Sequence, residues 1–198
     1  DALPIRQFVH RPKGWTERFV TAGGKFRERP ASVPGREAPV GGVPVGEVIE
    51  ICEPALDLAA RLGARLKETP GAALFIDYGP AASAPGESLQ ALRGGRPADP
   101  LADPGSADLS AHVDFAAFAA AARVAGAAVS GPVPQGLFLT RLGLFQRIDR
   151  LARGQSPARV AALIASGRRL AEPDAMGRLF KVLGLAHPGA PELPGFAP

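Results

Sequence analysis

The chain has few of the residues that build cross-linked or metal-bound folds. Its 198 residues include one cysteine, one tryptophan, one tyrosine and one methionine. The single cysteine, Cys52, cannot form an intramolecular disulfide and has no Cys or His neighbour at metal-ligand spacing, which suits a reducing compartment. The three histidines, His10, His112 and His187, are far apart in the sequence. We therefore expect no metal site.

Long apolar runs are also missing, because none approaches the roughly 20 residues that a membrane span needs. Hydrophobic residues make up 46% of the chain and charged residues 21%, which is typical of a globular domain without a membrane partner. The net charge is +4, but it comes from arginines that look scattered along polar helix faces, with few aromatics between them. We therefore do not expect nucleic-acid binding.

Glycine and proline are abundant, with 24 and 21 residues, and they cluster in two segments. Residues 21–46 and 80–107 have no hydrophobic period, so both are predicted to be long loops, the first of them a candidate interaction arm or lid. The chain begins with Asp1 and not with methionine, and a strand-like run follows within four residues. We expect it to be part of a longer protein.

The remaining segments predict an α/β fold. Residues 3–9 and 15–20 alternate as an antiparallel hairpin with Pro12 and Gly14 in its turn. Residues 54–68 have the period of an amphipathic helix, and the apolar run in "GAALFIDYGP", residues 71–80, follows at once as a buried strand of the kind found in parallel sheets. One helix is predicted after Asp114, one long helix from 137 to 153, another after Ser156, and a final strand over 179–187.

Two sequence stretches carry candidate functional residues. Asp77, Tyr78 and Gly79 end the predicted strand, and ligands of doubly wound sheets lie outside the carboxyl ends of strands. Alternatively, Asp77 caps a turn and Tyr78 packs at the rim. In "DLSAHVDF", residues 108–115, Asp114 is explained as a helix N-cap, whereas His112 is either a hydrogen-bonded loop histidine or a group that orients a substrate or moves a proton.

Common catalytic motifs are absent from the sequence. No glycine-rich phosphate loop lies between a strand and a helix, and no nucleophile elbow is present. However, six ordered blocks stand out: "DALPIRQF", "ALFIDYG", "GESLQALR", "DPLADPGSADLSAHVDF", "GPVPQGLFL" with Gly143 after it, and "MGRLFKVLGL" followed by "PGF". In order and spacing they resemble the MidA family of S-adenosylmethionine-dependent methyltransferases, whose members include a mitochondrial arginine methyltransferase that assists complex I assembly.

The resemblance implies a Rossmann-like class I methyltransferase fold, of which residues 1–198 form the C-terminal portion: the strands after the fourth, with helical additions. It implies S-adenosylmethionine as cofactor, held by residues upstream of Asp1, so the fragment alone is expected to be inactive. The acceptor is expected to be a protein side chain, arginine by family likeness. The implied catalytic residues are Asp1, Asp77 and His112, and the implied substrate-binding residues are Tyr78, Gly79, Asp114 and Gln135.

Two further expectations follow from the resemblance. The protein would lie in the cytoplasm of a bacterium or in the mitochondrial matrix of a eukaryote, where it would act on a protein substrate, and a homodimer is left open. The alternative is a non-catalytic interaction or assembly module derived from the same family. An intact glycine motif upstream of Asp1 would favour the enzyme, and its absence would favour the module.

Overall fold

The computed structural model describes residues 4–34 and 43–197. It divides into two compact units, the first comprising Asp1–Ala55 and Ala84–His112 and the second comprising Leu56–Ser83 and Val113–Pro198. None of the helices in these described ranges is long and apolar enough to cross a membrane.

The first unit is built on a four-stranded antiparallel sheet in the order β3-β2-β1-β4. The strands are β1 (Arg6–Arg11), β2 (Gly14–Val20), β3 (Phe26–Pro30) and β4 (Val48–Ile51). The predicted hairpin is confirmed, since Arg11 pairs with Gly14 across a two-residue turn. Phe8 and Val9 are fully buried and form part of the core of this sheet.

A second, smaller sheet in the first unit has the order β7-β6-β8. Its strands are β6 (Gln90–Arg93), β7 (Arg96–Ala98) and β8 (Asp108–Ser110). The structure therefore differs from the two predicted loops, because β3 lies within 21–46 and β6 and β7 lie within 80–107. These strands are short and largely exposed, so they carry no hydrophobic alternation that would reveal them in the sequence.

The second unit contains a three-stranded sheet in the order β5-β10-β9, formed by β5 (Ala72–Tyr78), β9 (Ala128–Pro134) and β10 (Phe180–Ala186). The middle strand, β10, is antiparallel to both neighbours. Helix α2 (Phe115–Val124) begins at its N-cap Asp114, as predicted, and packs on this sheet through Phe118, whose ring centroid lies 4.7 Å from that of Phe75.

Four other α-helices are present in the described residues. Helix α1 (Glu53–Glu68) buries Ala59, Gly63 and Leu66 on the predicted face. The long helix predicted over 137–153 is instead two helices, α3 (Gln135–Arg141) and α4 (Leu144–Ala152), because Gly143 adopts a left-handed conformation with φ of 82°. Helix α5 (Pro157–Ala171) begins after Ser156, and a kinked π-helical turn over Pro173–Gly177 leads into β10.

Within the described residues, β5 differs from two expectations. The prediction was a buried strand of a parallel sheet, but every strand pair among the described residues is antiparallel. Leu74 and Ile76 are 50% and 47% exposed, because they lie on the face of β5 opposite to the one that packs Phe75 against α2. β5 is also an edge strand, with no described strand on its outer side. An apolar run predicts that a strand is buried, but it does not identify the part of the protein that covers the strand.

Glu28 on the edge strand β3 hydrogen-bonds to residues of β1 and β2 and makes the stability of the first sheet dependent on pH. Arg11 donates to both Glu28 carboxylate oxygens, at 2.9 and 2.5 Å. This hydrogen bonding lowers the pKa of Glu28 from 4.5 to about 2, with a further hydrogen bond from Thr16. A lowered pKa in the folded state stabilises the protein above pH 4.5, and that stabilisation disappears as the pH falls through about 2.

We therefore expect Glu28→Gln to lower the free energy of unfolding at pH 7 by at most about 1 kcal/mol, since the pair is partly exposed and screened by solvent. Urea titrations at pH 7, 4.5 and 2.5 should show the difference between wild type and variant shrinking as the pH falls. Glu68→Gln, on the exposed end of α1, is the matched control and should behave as wild type. A constant difference at all three pH values would contradict the ion-pair explanation.

Candidate functional site

The carboxyl ends of β5 and β9 and the start of β10 lie together at one end of the second unit's sheet. Strand pairing places Asp77 opposite Lys181, and Lys181 opposite Pro134. Since β10 is antiparallel to both neighbours, this end of the sheet holds the carboxyl ends of β5 and β9 together. Asp77 and Tyr78 therefore lie at a strand end, as the sequence predicts.

Asp77 presents an exposed carboxylate at this end of the sheet. Its Oδ1 atom accepts a hydrogen bond of 2.8 Å from the Tyr78 backbone N–H. Among the described residues, it takes part in no ion pair within 4.0 Å. The Asp77 carboxylate can therefore accept hydrogen bonds from a cationic ligand without first breaking an ion pair with another described residue.

Tyr78 and Lys181 are held beside Asp77 by contacts of their own. The Tyr78 ring packs edge-on against Phe180, with centroids 5.6 Å apart. Lys181 Nζ donates to the carbonyl oxygens of Arg178 and Leu179, at 2.6 and 3.3 Å. Burial, and then the nearby charge of Arg178, lower the pKa of Lys181. The sequence reading missed Lys181, although a single lysine inside the apolar run "LFKVLGLA" was an available signal.

Gly79 has a structural role at the end of β5, and its predicted contact with substrate stays a prediction. A Cβ atom at this position would lie 2.1 Å from the Val113 carbonyl oxygen and 2.9 Å from its nitrogen. The Val113 N–H donates to the Tyr78 carbonyl oxygen at 3.1 Å. The missing side chain therefore lets the end of β5 approach the segment that enters α2, backbone against backbone.

The side chains of Asp114 and Gln135 hold the fold together around the strand ends. Asp114 Oδ1 accepts from the Ala117 N–H at 2.9 Å, as an N-cap does, and from the Ser83 hydroxyl at 2.8 Å. Gln135 is 5% exposed, and its Nε2 donates to the Leu170 carbonyl oxygen at 2.8 Å. Their predicted contact with substrate would have to compete with these hydrogen bonds.

The predicted site residues do not all lie in one unit. Asp77, Tyr78, Gly79, Asp114 and Gln135 belong to the second unit, whereas His112 is the last residue of the first. His112 is exposed, and its backbone N–H donates to Ser88 Oγ at 2.8 Å. Asp1 lies outside the described residues. Sequence reasoning therefore located the strand end correctly, and the wider grouping stays a prediction.

The first unit contains a cavity of about 350 Å³ that no sequence pattern indicated. Arg18 lines it and donates to Gln7 Oε1 at 3.0 Å and to the Glu87 carboxylate. Gln7 in turn donates to Glu50 at 2.8 Å. The walls are mostly apolar, and the lining residues are Pro4, Ile5, Gln7, Arg18, Phe19, Val20, Phe26, Leu89, Leu109, Ser110 and Ala111.

In the described parts of the chain, no group of three or more His, Cys, Asp or Glu side chains is arranged to hold a metal ion. The buried side-chain nitrogen and oxygen atoms there all have hydrogen-bond partners. At the strand ends of the second unit, Asp77 presents an exposed carboxylate.

A family model described as "Putative S-adenosyl-L-methionine-dependent methyltransferase" matches residues 1–133. The chain belongs to this methyltransferase family. Its resemblance to MidA proteins is thereby confirmed, since 133 of 198 residues are matched.

Curated relatives of this methyltransferase family align with most of the chain. The mitochondrial protein arginine methyltransferase NDUFAF7 of Mus musculus is 31% identical over 192 residues, which are 93% of this chain and 43% of that protein. The Danio rerio protein is 32% identical and covers 91% of this chain and 44% of its own length. The chain thus spans less than half the length of the curated relatives it matches.

Solved structures agree with the family assignment. A protein from Burkholderia thailandensis bound to S-adenosyl-homocysteine superposes with a TM-score of 0.83 at 28% identity, covering 100% of this chain and 54% of that one. A native structure from the same organism gives the same TM-score and identity, covering 98% of this chain and 55% of that one. The mixed α/β fold described above is therefore about half of the solved folds.

Proposed function

We propose that this chain is the C-terminal part of an S-adenosylmethionine-dependent methyltransferase that modifies arginine side chains of proteins. The observation that carries the proposal is the alignment of the whole chain with a solved structure that contains S-adenosyl-homocysteine, the product such a cofactor leaves. The names of the curated relatives, which are protein arginine methyltransferases, support arginine as the acceptor.

The finer fold proposal is a Rossmann-like sheet to which β5, β10 and β9 contribute one side. The edge of β5 supports this, because unpaired N–H and C=O groups on a seven-residue strand with Leu74 and Ile76 exposed are a template for another strand. The solved relatives are nearly twice as long as this chain, so they contain residues that could cover this edge. The position of those additional residues beside β5 is part of this proposal.

The described residues do not fit S-adenosylmethionine by themselves. They contain no glycine-rich turn between a strand and a helix that would present backbone N–H groups to a ligand, and the N-terminus of α2 is already capped by Asp114. We therefore assign cofactor binding to residues outside the described ranges. This chain's own residues would bind the acceptor, orient it and keep water away from it.

Asp77 is the residue best suited to the acceptor. A guanidinium presents N–H donors in a planar fork that matches a carboxylate, and such charge-assisted hydrogen bonds are among the strongest in proteins. One Asp77 oxygen is engaged by the Tyr78 N–H, which fixes the carboxylate and leaves acceptor positions on both oxygens. Lys181 lies opposite Asp77 on β10, whereas Tyr78, the next residue of β5, packs edge-on against Phe180.

The expected effect of Asp77→Asn is a KM for an arginine-containing peptide that rises at least about tenfold, since a charge-assisted hydrogen bond contributes about 1.5–3 kcal/mol. Transfer of labelled methyl groups by the protein in its full natural length is the measurement. Asp57→Asn, an exposed acidic residue on α1, is the control and should leave KM unchanged.

Isothermal titration calorimetry with S-adenosylmethionine tests the proposed methyltransferase activity separately from the proposed role of Asp77. Binding that is equal in wild type and Asp77→Asn, combined with a raised KM only in Asp77→Asn, supports both. An unchanged KM with normal cofactor binding overturns the role of Asp77 alone. Absence of cofactor binding in the full-length wild type overturns the enzyme and favours the assembly module.

The location of the protein is part of the same proposal. The curated relatives named above are mitochondrial, so a eukaryotic source would place this protein in the mitochondrial matrix, and a bacterial source in the cytoplasm. A protein substrate is proposed as its partner.

A further inference from the structure

The arginines that look scattered in the sequence are concentrated in one helical segment of the second unit. We call residues 141–172 the arginine hairpin; it contains the end of α3 together with α4 and α5. It has seven arginines and two acidic residues, a net charge of +5, whereas the whole chain carries +4. The other 166 residues together therefore carry −1. The arginines are Arg141, Arg147, Arg150, Arg153, Arg159, Arg168 and Arg169.

The structure leaves these charges on the surface. Helices α4 and α5 touch where Ile148 packs against Gly167, at which a Cβ atom would lie 2.2 Å from Ile148 Cδ1. The arginines lie elsewhere on each helix, and all seven are exposed. Within the hairpin, the ion pair that the described residues form is Arg168 with Glu172, at 3.5 Å between side chains that are each more than half exposed. Most of this positive charge has no ion-pair partner among residues 4–34 and 43–197.

Apolar side chains accompany the arginines. Phe145, Leu151, Ile164 and Leu170 are between 36% and 45% exposed. Helical spacing places Arg147 and Leu151 one turn apart on α4, and it places Arg159, Leu163 and Leu170 along one stripe of α5. Guanidinium groups therefore border half-exposed apolar side chains on both helices.

We propose that the arginine hairpin docks a partner protein whose surface presents carboxylates around apolar side chains. Charge complementarity identifies the partner, because guanidinium forks match carboxylates, and arginine is enriched at protein interfaces where apolar side chains form the centre. Single-stranded nucleic acids bind through stacking on aromatic side chains, but Phe145 is the hairpin's one aromatic residue, and the half-exposed aliphatic side chains between the arginines favour a protein partner. A membrane would require a fully apolar outward face, whereas these side chains are more than half buried.

The test uses a synthetic helical peptide with leucines at i, i+3, i+4 and i+7 and glutamates elsewhere, together with a permuted peptide of equal composition. Fluorescence anisotropy measures binding of each to the protein in its full natural length. We expect the amphipathic peptide to bind at least about tenfold more tightly than the permuted one. The triple variant R147E, R150E and R159E should weaken that binding at least about tenfold, since reversed charges place like charges together.

The matched control reverses three exposed arginines on α1 and α2, as R61E, R65E and R123E, so that the total charge change is identical. Binding retained in this control and lost in the hairpin variant supports the proposal, provided that both variants keep the circular dichroism of wild type. Equal loss in both variants means that net charge alone attracts the peptide, which overturns it. Tighter binding of anionic phosphatidylserine vesicles or of single-stranded RNA than of the amphipathic peptide overturns it as well. Because these measurements need no methyl transfer, they stand apart from the proposed activity.

Discussion

Replacing Gly79 with alanine should lower the free energy of unfolding by on the order of 3 kcal/mol. The new Cβ atom would meet the Val113 carbonyl oxygen at 2.1 Å, and backbone atoms cannot move aside as a flexible side chain can. The end of β5 and the start of α2 would have to separate, and the hydrogen bond from the Val113 N–H to the Tyr78 carbonyl oxygen would lengthen. Urea unfolding monitored by circular dichroism measures the loss.

Gly86→Ala is the matched control for this substitution. Nothing lies within 4 Å of the position that its Cβ would occupy. Alanine also restricts the unfolded chain, so we expect a neutral effect or a gain of about 0.4–1 kcal/mol. If Gly79→Ala were as stable as Gly86→Ala, the close backbone approach at the end of β5 would not be a constraint of the fold.

The second large effect is expected from Phe115→Ala, at about 3–5 kcal/mol. Phe115 is the first residue of α2 and is 1% exposed. Removing its ring leaves a cavity that the neighbouring helix and strands can fill only in part, so the packing contacts are lost together with the burial of the ring. Thermal or urea unfolding of the purified variant provides the measurement.

Val124→Ala is the control on the same helix. Val124 is 90% exposed, and alanine is a better helix former than valine, so this variant should be as stable as wild type or slightly more so. Similar losses in Phe115→Ala and Val124→Ala would mean that α2 stabilises the protein through its helix alone and not through the face that it buries.

The parts of the fold that the sequence predicts depend on local chemistry. Asp114 caps α2 because its side chain reaches a backbone N–H three residues ahead, and Ser156 caps α5 in the same way. The hairpin of β1 and β2 follows from alternation around a short turn. Signals of this kind act within a few residues, so they can be identified without knowledge of the rest of the molecule.

The elements that the sequence does not predict depend on distant partners. β3, β6 and β7 are short and mostly exposed, so pairing with neighbouring strands defines them. Gly143 lies within a helical pattern, and only the structure shows that it ends one helix and begins another. Leu74 and Ile76 read as core residues, yet both are about half exposed.

The sequence also predicts only part of the candidate site. Asp77 and Tyr78 could be placed at a strand end because a buried-type run ends in polar residues. The structural roles of Gly79 and Gln135 could not be found, since they depend on Val113 and Leu170, which lie 34 and 35 residues away in the sequence. Lys181 was missed because its neighbour across the sheet belongs to a strand about 100 residues earlier.

The central position of β10 has a consequence for how the protein forms during synthesis. β5 and β9 leave the ribosome first, yet they are not paired with each other, because β10 lies between them and pairs with both. About 100 residues separate the paired segments of β5 and β10, so this sheet has a high contact order and should close slowly. Until β10 emerges, the edges of β5 and β9 that pair with it have no partner, and these edges are then most prone to aggregation.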